Sequence, residues 1–208
     1  MLILSRVVIA VKDTDSQMAS RLETERLILR QWKREDYPEY AKLSADPTVM
    51  MYFPGVLSRQ ESEAQAARIT QLIAENGWGF WAAELKATGQ FIGFVGLHRQ
   101  DELSGIPNAP FIEIGWRLAK EYWGKGYAPE AARRALQFAF EQLSAPSIYA
   151  FTALPNTPSQ RVMDKIGMTN IGQDFDHPKL PVGHHLRHHC LYQITRETWL
   201  GRLKPRSP

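Results

Sequence analysis

Cysteine is almost absent from this chain of 208 residues: Cys190 stands alone. A single thiol excludes an intrachain disulfide and fits a reducing compartment, so a cytoplasmic protein is expected. No apolar run approaches the ~20 residues that a membrane-crossing helix needs, and no membrane partner is expected. The opening stretch, residues 1–10, is apolar but short and has no small-residue cleavage site, which is not a signal-peptide layout. A strong excess of one charge is also missing, since 25 Lys and Arg oppose 22 Asp and Glu for a net +3. The basic residues form no stripe interleaved with aromatics, so nucleic acid is not an expected partner either. No internal repeat, low-complexity tract or linker divides the chain.

What remains suits one domain. Apolar residues make up 44% of the chain and aromatics 11%, enough for a packed core. Residues 1–20 read as an N-terminal extension, with Met18 as an alternative start. Residues 21–200 read as the domain, and 201–208 as a basic, solvated tail. A monomer or homodimer is expected.

The elements alternate. Arg26–Trp32 reads as a first strand. Asp36 looks like an N-cap, with Glu39 at capping-box spacing, and opens a helix over Tyr37–Leu43 that Asp46-Pro47 breaks. Ser58-Arg59-Gln60-Glu61 is a clearer capping box, and its helix should run to Glu75, where Asn76-Gly77 stops it. Phe80–Leu85 and Phe91–Arg99 read as a hairpin around Thr88-Gly89. Phe111–Leu118 is a strand and Pro129–Leu143 a helix buried along Ala132, Leu136, Ala139, Phe140 and Leu143. After a strand at Ile148–Ala153, Thr157 looks like the cap of a helix that Gly167 closes. Met168–Phe175 and Leu186–Thr195 read as closing strands. The whole is an α/β domain around a mixed sheet.

The chemistry concentrates where the strand Ile112–Leu118 leads through Tyr122-Trp123-Gly124-Lys125-Gly126-Tyr127-Ala128 into a helix. Helix N-termini carry open N–H groups and a positive dipole end. Glycines let the backbone close on a phosphate, and Lys125 can add charge. The spacing is neither a Walker A loop nor a dinucleotide-binding Gly-x-Gly-x-x-Gly. Taken alone, it is also compatible with a tight turn that holds no ligand.

With these surroundings the segment resembles the pyrophosphate loop of the GNAT N-acetyltransferases, Gln/Arg-x-x-Gly-x-Gly/Ala, although Glu121 stands in the place of Gln or Arg. Other stretches are similar to the RimJ/RimL-type branch. They are Leu22–Arg30, Asp46-Pro47-Thr48-Val49-Met50, Tyr52-Phe53-Pro54, Gly89–Gly93, Asn156-Thr157-Pro158-Ser159 and Lys165-Ile166-Gly167-Met168. Together they cover about residues 22–199. The resemblance implies a GNAT-like, mostly antiparallel central sheet flanked by helices. It also implies acetyl transfer from acetyl-CoA to a primary amine, a small molecule or a protein N-terminus, with no metal.

The resemblance further implies that the backbone of Trp116, Arg117 and Leu118 lies beside a splayed neighbour strand. There it would hold the pantetheine arm and the thioester carbonyl. Trp123, Gly124, Lys125, Gly126, Tyr127 and Ala128 would hold the pyrophosphate, and Asn156 the pantetheine amide. Glu113 is the candidate general base: strand alternation puts it with Gly115 and Arg117 on one face, opposite Ile112, Ile114, Trp116 and Leu118. A surface pairing of Glu113 with Arg117 is the alternative. Ser159 is a candidate hydrogen-bond donor to the leaving sulfur. Met163 occupies the place of the Tyr that many of the family use as general acid, which leaves three alternatives: Ser159 substitutes, another residue does, or no acid is needed because a thiolate leaves readily. Asn156 and Ser159 are also open to a capping reading, although Thr157 looks like the cap. Tyr52, Phe53 and His177 are candidate acceptor-side residues. His177, His184, His185, His188 and His189 form a cluster, but adjacent strand residues point to opposite faces and no Cys lies at metal-finger spacing, so no metal is expected. A non-catalytic acyl-CoA-binding module is the other function class that these motifs allow.

Overall fold

A computed structural model describes residues 21–203, apart from the side chain of residue 203. The expected extension over 1–20 and most of the expected basic tail lie outside the described residues. In chain order the elements are β1 (Leu22–Glu23), β2 (Leu27–Arg30), α1 (Asp36–Ala45), α2 (Arg59–Asn76), β3 (Phe80–Leu85), β4 (Phe91–Gln100), β5 (Phe111–Leu118), α3 (Tyr127–Glu141), β6 (Ser147–Ala153), α4 (Thr157–Ile166), β7 (Thr169–Asn170), β8 (Phe175–Asp176), β9 (His188–Thr195) and α5 (Arg196–Leu203).

The strands form one sheet in the order β1-β2-β3-β4-β5-β6-β9-β7, with β8 also paired to β9. Every pairing is antiparallel except β5 with β6. The sheet is therefore mixed and mostly antiparallel, and helices cover both faces, as expected. On one face Trp81 packs edge-on against Phe138 of α3, 5.4 Å between centroids. α4 and α5 join α3 there, and Trp199 stacks on Phe140. α1 and α2 cover the other face. Their buried Tyr40 meets Trp32 edge-on and lies against Phe94, which packs on Phe80, and Leu43, Ile69 and Ile73 are buried in the same core. A register shift in the β3–β4 pairing leaves Ile92 as an extra residue next to Gly93. Gly93 has φ +131°, and a Cβ there would sit 2.1 Å from the Arg117 carbonyl oxygen. Only glycine lets β4 and β5 approach so closely at this bulge.

Several expected boundaries shift, each for a local reason. Asp36 is not the N-cap of α1. Its carboxylate lies inside the fold, takes a two-pronged contact from Arg30 at 2.7 and 2.8 Å and accepts from the Lys33 amide. A buried guanidinium is a stronger partner than a helix-end amide. The Ser58–Glu61 capping box forms as expected. α3 begins two residues early, at Tyr127, because Gly126 turns left-handed at φ +81° and starts it. Thr157 does not cap α4. Asn156 does, accepting from the Ser159 amide. The expected strand Met168–Phe175 is two short pieces, β7 and β8. Gly172, at φ +70°, and the Asn170 side chain, which accepts from the Gly172 amide, form a turn between them. α5 was not expected. It grows from Thr195, whose hydroxyl accepts from the Thr198 amide.

Candidate active site

The sheet splits where β5 meets β6. Their parallel ladder holds only at Ile112–Ile148 and Glu113–Tyr149. Past it β5 stays paired with β4 as far as Leu118, while β6 stays paired with β9. Hydrogen-bonding residues alternate along an antiparallel ladder. The Ala119 amide donates to Ile92 and the Leu97 amide to Gly79, which fixes the phase. The backbone groups of Arg117 and Gly115 face β4, and those of Leu118 and Trp116 face the split. This corrects one expectation: the backbone of Arg117 is engaged with Phe94 and is not presented to the gap. The Leu118 carbonyl accepts from Trp123 Nε1 at 2.8 Å. Trp116 is left with an N–H and a C=O to which β6 offers no ladder partner.

At the end of β5 the exposed loop Trp123–Gly126 turns through two left-handed glycines, Gly124 at φ +72° and Gly126 at φ +81°. No side chain caps α3. Its first internal bond runs from the Glu130 amide to the Gly126 carbonyl, so among the described residues the amides of Tyr127 and Ala128 stay open, and Pro129 has none. The loop is clamped from outside. Arg26 donates to the Lys125 carbonyl at 2.9 Å, pairs with Glu130 at 2.6 Å and lies over the Tyr127 ring. Burial pushes the Glu130 carboxyl up, but Thr24 and Arg26 outweigh it and hold it low. Its charge is thus neutralised beside the amides. Arg26 escaped the sequence reading, although the Thr24-Glu25-Arg26 stretch that carries it was part of the resemblance.

Glu113 lies half-buried on the α1–α2 face. Register places it opposite His98, and Gln100 Nε2 donates to its carboxylate at 2.6 Å. Burial pushes its pKa up to about 7, against smaller opposing effects of Gln100 and Lys179. Arg117 does not pair with it. Burial likewise lowers the pKa of His98, which stacks on Phe80. Across the split, at the end of β6, Asn156 Nδ2 donates to Ser159 Oγ at 3.1 Å and to Thr152 Oγ1 at 2.8 Å. Ser159 thus accepts from Asn156 and keeps its own proton for another partner. Met163 is buried in the core.

The remaining expected residues line the same face. Phe53 covers the Arg117 guanidinium at 4.2 Å. Tyr52 packs against Ala153, Leu180 and Leu186. His177 joins an aromatic group with Phe151, Phe175 and His189, and burial, helped by His189 and Lys179, pushes its pKa down to about 4. It is neutral at physiological pH. Among the described residues no group of three or more His, Cys, Asp or Glu is placed to hold a metal ion. No helix among them is long and apolar enough to cross a membrane.

A split sheet beside an uncapped helix start is the arrangement that the sequence resemblance implies, and comparison with known proteins identifies the family. Residues 26–169 match the model of the acetyltransferase (GNAT) domain. The chain belongs to the GNAT acetyltransferases, which transfer acetyl from acetyl-CoA. It is 33% identical over 150 residues to a Bacillus subtilis protein, YkkB, covering 72% of this chain and 85% of that one. It is 29% identical to an Aspergillus fumigatus protein named FsC-acetyl coenzyme A-N(2)-transacetylase, covering 88% of this chain and 80% of the relative. A GNAT-family acetyltransferase from Bacillus anthracis superposes with TM-score 0.71 at 28% identity, over 85% of this chain and 99% of that structure.

Proposed function

We propose that this chain moves the acetyl group of acetyl-CoA onto a primary amine, of a small molecule or of a protein N-terminus as in the RimJ/RimL-type branch, by direct attack on the thioester. The observation that carries this reading is the open backbone edge of Trp116 in the β5–β6 split, with Glu113 on one side of the split and Ser159 on the other. Acetyl-CoA would supply the activated acyl group. The amides of Tyr127 and Ala128, with Gly124, Lys125 and Gly126, would receive its pyrophosphate, and Trp123 would border them. Asn156 acts as a positioning residue that orients Ser159 and borders the pantetheine arm.

Glu113 takes the proton that the attacking nitrogen sheds. With a pKa about 7, it is both substantially ionised at neutral pH and basic enough to accept. The Trp116 N–H faces the oxygen that becomes negative as the carbonyl carbon turns tetrahedral. When the C–S bond breaks, the sulfur departs as a thiolate that accepts a hydrogen bond from Ser159; it then takes a proton from solvent to become the free thiol, and Glu113 returns its proton to solvent. The Aspergillus relative, named as an acetyl-CoA N-transacetylase, supports nitrogen as the receiving atom. The test is free-thiol release from acetyl-CoA with a panel of amines and peptides. Amine-dependent release is expected. Calorimetric binding of acetyl-CoA with no release from any amine would instead indicate a non-catalytic acyl-CoA-binding module.

A further inference from the structure

Arg26 stands on the turn between β1 and β2, yet its side-chain hydrogen bonds among the described residues go to the start of α3. Nη1 donates to the Lys125 carbonyl at 2.9 Å. Nε donates to Glu130 Oε2 at 2.7 Å, and Nη2 lies 2.6 Å from the same oxygen. The guanidinium sits over the Tyr127 ring, 4.5 Å from its centroid. The Arg26 amide and the Thr24 hydroxyl donate to the other Glu130 oxygen at 2.9 and 2.6 Å. One turn thus holds both oxygens of one carboxylate, with charge-assisted bonds.

These contacts fix the direction of a peptide plane. In a trans peptide the C=O and the following N–H point opposite ways. Arg26 draws the Lys125 carbonyl toward itself, so the Gly126 N–H points to the other side of the loop. Next along the chain are the amides of Tyr127 and Ala128, and among the described residues none of these amides has an acceptor. Gly126 is left-handed and Tyr127 is helical. Successive N–H groups in such a pair make a concave site for an anion.

The same contacts manage a charge. Glu130 stands in the first turn of α3. A carboxylate there suits the positive end of a free helix but repels an anion that approaches the same amides. The Glu130 carboxyl is held below its ordinary range, so it is ionised at neutral pH. Its bonds go to Thr24 and Arg26. Lys125, the cation of the loop, lies 5.6 Å from the Tyr122 ring. Among the described residues only Arg26 pairs with Glu130.

Resting on the acetyl-CoA site of the acetyl-transfer reading, we propose that Arg26 is a positioning residue for the cofactor's pyrophosphate, which orients the Gly126 N–H toward the phosphate and removes the repulsion of Glu130. It acts through Lys125 and Glu130, so its effect is confined to ligands that carry the pyrophosphate.

The experiment has two arms. In the first, acetyl-CoA and acetyl-pantetheine, which has the same thioester and arm but no pyrophosphate, are compared as donors by thiol release. In Arg26→Met the ratio of kcat/KM for acetyl-CoA to that for acetyl-pantetheine should fall at least about tenfold, the scale of a helix-end charge together with a lost donor. The loss should lie in KM, because the pyrophosphate is held alike before and during the chemical step. Arg26→Met/Glu130→Gln leaves no charge to repel and should regain about threefold or more of the ratio. An unchanged ratio in Arg26→Met, an equal loss with both donors, or no recovery in the double variant would overturn the proposal. The second arm needs no variant to fold and no turnover. The Gly126 amide resonance of the wild-type protein is followed by NMR during titration with ADP, which carries a pyrophosphate without the arm, and with pantetheine. A saturable shift with ADP only is expected, and no shift with ADP would refute the oriented amide. A shift without thiol release from any amine would remove the acetyl-transfer reading alone. Thiol release in the parent with an unchanged donor ratio in Arg26→Met would remove the role of Arg26 alone.

Discussion

Glu113 combines burial with a position beside the split, and both have measurable consequences. Its folded pKa, about 7, lies above the ordinary 4.5. A carboxyl with a raised folded pKa favours the fold while protonated, so its contribution is full below about pH 4.5 and is lost as pH rises through about 7. Glu113→Gln keeps the shape and removes the ionisation. At pH 8 the variant should be more stable than the parent by on the order of 1–3 kcal/mol, and by almost nothing at pH 4.5. Urea melts at the two pH values read this directly. In activity the sign reverses: parent kcat/KM should climb through about pH 7 as the base ionises, and the variant should lose that rising limb. A gain in stability with the limb intact would make Glu113 a strained structural residue and not the base. The face of Glu113 was legible from strand alternation alone. The cap of α4 was not. Asn156 and Thr157 are both good caps, and the choice falls to Asn156 because Thr152, on β6, accepts its second proton. No local pattern encodes that contact.

At the scale of elements, the loop before α3 depends on conformations that other residues reach only with strain. Gly126→Val would force a β-branched residue to φ +81° and bring a Cβ within 3.3 Å of the Arg26 guanidinium. Acetyl-CoA affinity should fall at least about tenfold by calorimetry, together with roughly 1–2 kcal/mol of stability from the backbone. Gly172→Val separates the two effects. Gly172 has a similar φ, +70°, with open space around it, far along the chain from the loop. The control should lose comparable stability and keep its acetyl-CoA affinity; equal affinity loss in both variants would assign the effect to general destabilisation. Elements defined by short-range signals were legible in the sequence, such as the Ser58 box, the Gly77 and Gly167 stops and the Thr88-Gly89 turn. α5 was missed because Arg196–Leu203 has no clear apolar stripe and contains Gly201. One anchor, Trp199 against Phe140, stands where a repeating pattern would have announced it.

At the scale of the molecule, the sheet is two ladders joined at β5–β6 by two residue pairs, with α3 packed beneath. The class of fold followed from alternating periodicities. The insertion of β9 between β6 and β7 did not, because pairing across some forty residues is set by packing and not by local composition. A weak seam at the proposed cofactor site makes the ligand part of the architecture. A pantetheine arm lying along Trp116 would supply the missing partner for β5 and link the two ladders. Binding confined to the folded state stabilises by mass action, about 2.7 kcal/mol at a hundredfold excess over Kd. For a chain of this size that is roughly 5–10 °C in Tm. Any tight ligand of the native state would produce such a shift, so the informative quantity is where protection appears. Hydrogen exchange should slow at the Trp116 amide and along residues 150–153 of β6 when acetyl-CoA is added, and the effect should vanish in Gly126→Val. Protection limited to residues 123–128 would mean that the nucleotide end binds while the split stays open, and the acetyl group would then not reach Glu113.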